Sequence, residues 1–87
     1  MKEDTQMRIE RIKKLIGDNR EIEFDYKDKR YSITYFDENR KSWISFCEFY
    51  QEPIDVLSPD ELLKIKIDGI TLEEILSNLP NSAFDIY

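Results

Sequence analysis

Residues 43–50, WISFCEFY, hold the chain's single tryptophan and single cysteine, and Glu48 and Glu52 lie close to the thiol. A cysteine among carboxylates suggests nucleophilic catalysis or metal ligation, and both need partners. The chain has no histidine, which removes the usual base near neutral pH, the commonest transition-metal ligand and the partner of Cys-His and Ser-His pairs. One cysteine can form no internal disulfide and no thiolate cluster for zinc or iron–sulfur. Cys47 therefore reads as a small apolar side chain packed in a strand, the usual behaviour of a free cysteine.

The remaining routes to chemistry close in the same way. Carboxylates are plentiful, but glycosidase chemistry needs two acids across a cleft that holds a sugar, which a chain of 87 residues has little mass to build. The acids around Asp55, Asp60 and Asp68 lack the D-x-D-x-D-G spacing of a calcium loop. The two glycines, Gly17 and Gly69, stand too far apart for a phosphate-binding loop. The expectation is a non-enzyme with no cofactor and no metal.

Length and composition set the frame for what is left. Eighty-seven residues make one domain, residues 1–87, whose folding can hide roughly 60–65% of the unfolded surface, enough for one modest core. Aromatic residues at 13% and only two glycines and three prolines argue against disorder. No run reaches the length of a membrane span, and MKEDTQMRIE lacks the apolar stretch of a signal peptide. A cytoplasmic protein without membrane contact is expected.

Periodicity supplies the elements. Ile9, Ile12, Leu15 and Ile16 share one arc of a helical wheel, so a helix is expected from about Thr5 to Ile16 with Gly17 as its cap. In EIEFDYK, Ile22, Phe24 and Tyr26 alternate with acids, and in RYSITYF, Tyr31, Ile33 and Tyr35 repeat the pattern of a half-buried strand. A turn at Asp28 and Lys29 would pair Phe24 with Ile33 and Ile22 with Tyr35. A third strand, Ser42 to Tyr50, follows the polar turn DENRK. Ser58-Pro59-Asp60-Glu61 is a capping box ahead of Leu62, Leu63 and Ile65, and Thr71-Leu72-Glu73-Glu74 repeats the device before Ile75, Leu76 and Leu79. The expected fold is α+β, a three-stranded antiparallel β-meander with an N-terminal helix and two short C-terminal helices, in the order αβββαα.

The combination E-I-E-F-x-Y, K-R-Y-S-I, S-P-D-E-L-L and I-D-G-I-T-L-E-E-I, over about residues 20–79, resembles small uncharacterised acidic proteins of Gram-positive bacterial prophages and mobile elements. Its motifs are a hairpin, two helix caps and a turn. The resemblance implies no catalytic residue and no cofactor; it implies an accessory protein that acts by binding.

Charge points to the kind of partner. Residues 1–41 carry 11 basic and 10 acidic side chains, whereas residues 42–87 carry 2 basic and 9 acidic ones, so the net charge of −6 lies in the second half. Such a field repels nucleic acid and steers toward a basic protein. Helix dipoles give the acids Asp60, Glu61, Glu73 and Glu74 a purely structural role as well. Strand parity adds a surface: Phe36, Trp43 and Phe49 fall on the sheet face opposite Ile22, Phe24, Ile33, Ile44 and Phe46. Either the last two helices cover those aromatics, or they mark an interaction site. Phe36, Trp43, Phe49, Asp55, Glu73 and Glu74 are the expected partner-binding residues. The expected function is a protein-binding accessory module, in its sharpest form an inhibitor of a basic nucleic-acid-handling enzyme. The alternatives are a nucleic-acid binder using Arg8, Arg11, Lys13 and Lys14 of the first helix, and a structural homodimer.

Overall fold

The computed structural model describes residues 2–87, with side chains from Arg8 onward. Helix α1 spans Lys2–Gly17, and Ile12 and Ile16 are its buried contacts with the core. Gly17 is its last helical residue and not its left-handed cap. Asn19 takes the left-handed position with φ 56°, while Asn19 N–H donates to Ile16 O and Arg20 N–H to Leu15 O. That pair of bonds is the Schellman closure, and an asparagine rather than the glycine supplies its left-handed residue.

Strands β1 (Ile22–Tyr26), β2 (Lys29–Glu38) and β3 (Lys41–Glu48) form the antiparallel meander. The first turn is Lys27–Asp28, with φ 50° and 63°, and the second is Asn39–Arg40, with φ 55° and 63°. Positive φ at both central residues gives the turn twist that tight hairpins favour. The pairing is Ile22 with Ile33 and Phe24 with Tyr31, two residues away from the expected register. Because side chains alternate with period two, a slip of two leaves every residue on its expected face.

The αβββαα order is overturned by the sheet itself, which has five strands rather than three, with one short strand added at each edge of the meander. Strand β4 (Ile54–Val56) adds to β3, and β7 (Phe84–Ile86) returns from the end of the chain to pair with β1. A separate hairpin of β5 (Lys66–Ile67) and β6 (Ile70–Thr71) turns at Asp68–Gly69 between the helices. These strands are two or three residues long, too short for alternation to stand out, and β7 needs a partner some sixty positions away. The physical gain is that β1 and β3 no longer present bare edges.

Helix α2 (Pro59–Leu63) is capped by Ser58, whose Oγ accepts from Glu61 N–H at 3.2 Å. Helix α3 (Leu72–Asn78) is capped by Thr71, which accepts from Glu74 N–H at 3.3 Å. Both expected caps are present. The three helices pack on one side of the sheet, where Leu62, Leu63, Leu72, Ile75 and Leu76 join Ile22, Phe24, Tyr31, Ile33, Ile44 and Phe46 in a single buried cluster. Aromatic rings tie the strands together there: Phe24 lies 5.3 Å from Tyr31 and Tyr31 lies 5.6 Å from Phe46, centroid to centroid.

Candidate protein-binding face

With all three α-helices on one layer, the other face of the sheet has, among the described residues, no α-helix across it. Its composition follows from register. Ser32 sits opposite Cys47, Thr34 opposite Ser45 and Phe36 opposite Trp43; Glu23 faces both Ser32 and Asp85, and Ser45 faces Asp55. The centre is thus small and hydroxylated, one end is aromatic and the other is ionic.

At the aromatic end Phe36 and Trp43 stack with centroids 6.2 Å apart and planes within 8° of parallel. The indole N–H of Trp43 reaches the carbonyl of Glu38 at 3.4 Å, which orients the ring from the turn of the hairpin. Phe36 is 37% exposed and Trp43 is half-buried. A flat, pre-oriented pair of this kind suits a binding surface, because large aromatics dominate interface energies at low ordering cost.

At the ionic end Arg30 is the hub. Its guanidinium bonds Asp25 at 3.0 Å, Glu23 at 3.0 Å and Asp85, so three carboxylates on two strands share one cation. Those bonds, to Asp85 first, then Asp25 and Glu23, raise the Arg30 pKa above its ordinary value. The cluster fastens β7 to β1 and still leaves an excess of negative charge. Asp55, exposed on β4, is a separate acid at the opposite edge of the sheet.

Cys47 lies half-buried on this face, with its Sγ 3.0 Å from the Glu48 carbonyl and 3.1 Å from that of Gln51. It packs between strands but outside the main core. Among the described residues no group of three or more potential ligands is placed to hold a metal ion.

The six expected partner-binding residues do not form one surface. Phe36, Trp43 and Asp55 share the uncovered face, and Phe49 continues it past the end of β3, its N–H bonded to Arg30 O at 2.9 Å and its ring edge-on to Tyr50. Glu73 and Glu74 are exposed in the first turn of α3, on the helical layer. The basic ridge expected along α1 is divided: Lys14 pairs with Asp18 at 3.9 Å, while Arg8 turns toward Leu79 and Asn81. Sequence reasoning missed the Arg30 cluster. The alternation of Phe84 and Ile86 around Asp85 was its one visible trace.

No helix among the described residues is long and apolar enough to cross a membrane. A comparison with protein-family models, curated proteins and solved structures finds no match to this chain.

Proposed function

We propose that this chain is a non-catalytic, protein-binding module that presents the uncovered face of its sheet to a basic partner. The supporting observation is the placement of the stacked Phe36–Trp43 pair on a face without a helical cover, with the acids around Arg30 at the opposite end of that same face. Aromatic anchors supply contact area, and surrounding charge speeds and orients encounter. In its sharpest form the partner is a cytoplasmic nucleic-acid-handling enzyme, whose basic groove the carboxylates would occupy in place of phosphates, and the chain is a prophage or mobile-element accessory protein. Pairing two copies through this face would set acid against acid, and the split basic ridge of α1 offers a nucleic acid no continuous track, so the heterologous reading is the one favoured.

The test is affinity capture from a Gram-positive lysate with wild-type and Trp43→Ala baits, read by quantitative mass spectrometry and followed by titration of the purified partner. A basic protein held by the wild type and bound at least about tenfold more weakly by a folded Trp43→Ala supports the reading. Partners indifferent to Trp43 would refute it.

A further inference from the structure

The helical layer carries a second site of different character, a groove between α1 and the edge strand β7. Its volume is about 640 Å3, and it is lined by Ile12, Leu15, Ile22, Phe84 and Ile86 together with Arg8, Arg11 and Asn81. That size falls within the range of small-ligand sites. The groove exists because β7 is short and lies at the sheet's edge, so α1 overhangs it without a further strand to fill the space below. Ile86 remains 41% exposed as a result.

The charge of the lining is unusual for this protein. The chain carries a net charge of −6, yet the groove's lining contains two arginines and, among the described residues, no carboxylate. Arg8 is held by the carbonyl of Leu79 and, at 2.8 Å, by the amide oxygen of Asn81. Both acceptors are neutral. They fix the guanidinium in place without cancelling its charge, and they use two of the five N–H donors that an arginine offers. Arg11, one turn further along α1 and exposed, brings a second cation to the same rim.

We propose that this groove binds an aliphatic monocarboxylate of medium chain length. The carboxylate would lie at Arg8 and Arg11, where a guanidinium can engage both oxygens. The hydrocarbon chain would run along Ile12, Leu15, Phe84 and Ile86, displacing water from apolar walls. Charge complementarity selects the anion and the aliphatic lining selects the tail. A bare phosphate would leave the lining wet, and a neutral lipid would leave the cations unused.

The proposal is tested by following backbone amide shifts of the full chain during titration with octanoate, octanol and octylammonium, each below its aggregation concentration. Octanoate should shift amides at Ile12, Leu15, Ile22, Phe84 and Ile86, bind at least about tenfold more tightly than octanol, and leave octylammonium without effect. Arg11→Gln leaves the Arg8 tie intact and should weaken octanoate by about tenfold without changing octanol. Leu15→Trp, which fills the groove, should abolish both. Octanoate binding no tighter than octanol, shifts confined to residues outside the groove, or unchanged octanoate affinity in Arg11→Gln would overturn it.

Discussion

The two faces of the central sheet are built from the same strands, one residue apart, and they differ in nearly every physical property. On the inner face Phe24, Tyr31, Ile33 and Phe46 are at most 4% exposed and close against three helices. On the outer face Ser32, Thr34 and Ser45 occupy the centre, with an aromatic pair at one end and an ion cluster at the other. Alternation lets a chain of this size keep its stability on one side and its recognition chemistry on the other. A mutation on one face should therefore leave the property of the other nearly untouched.

The largest expected effect sharpens this contrast from the inner side. Phe24→Ala removes a fully buried ring that touches Tyr31, Phe46 and Phe84, and should destabilise the fold by about 3–5 kcal/mol in denaturant unfolding. Trp43→Ala, on the outer face, gives up its stacking with Phe36, about 0.5–1.5 kcal/mol beyond the area the indole buries, and should cost less than Phe24→Ala while leaving a cooperative transition. Comparable losses at the two positions would break the comparison.

Alkaline pH gives a third contrast. Burial, reinforced by Glu21, pushes the Tyr35 pKa up to about 12, and its hydroxyl donates to the Arg20 carbonyl at 2.7 Å. An unfolded tyrosine ionises near its ordinary 10.0. Below that pH both states hold the proton and stability is unaffected; between about 10 and 12 the unfolded chain has released a proton that the folded chain keeps, so stability falls as pH rises. Tyr31, raised chiefly by burial as well, acts in the same direction. Tyr35→Phe should flatten the alkaline decline in Tm between those values, and an unchanged slope would place the titration elsewhere.

Among these effects, charge reversal should change stability least. Asp55→Lys should slow association with a basic partner and flatten its salt dependence, since exposed charges act mainly on encounter. Glu73→Lys with Glu74→Lys, on the other layer, should leave that rate nearly unchanged. Stopped-flow association at several salt concentrations separates the two, and a larger effect from the α3 pair would move the binding surface to the helices.

Much of this contrast was legible in the sequence. Period-two alternation placed Phe36 and Trp43 opposite Phe24 and Ile33 even though the hairpin register was off by two, because parity survives a slip of two. Capping chemistry located Ser58 and Thr71. The edge strands were not legible: Ile54–Val56 and Phe84–Ile86 are three residues each and are defined by a neighbour's free hydrogen bonds rather than by their own pattern. The Arg30 cluster stayed hidden for the same reason, since Asp85 reaches Arg30 only once β7 has docked on β1. The side of the sheet taken by α2 and α3 was equally out of reach, since an apolar stripe at helical spacing says that a helix needs a surface and not which one.

Trp43 is the chain's only tryptophan, so its fluorescence tests directly whether the outer face is uncovered in the free protein. The account predicts red-shifted emission and efficient quenching by acrylamide, unchanged on dilution and suppressed only when a partner is added. A blue-shifted emission that resists acrylamide in the free chain, or becomes accessible only on dilution, would show that the face is already covered and would contradict the account.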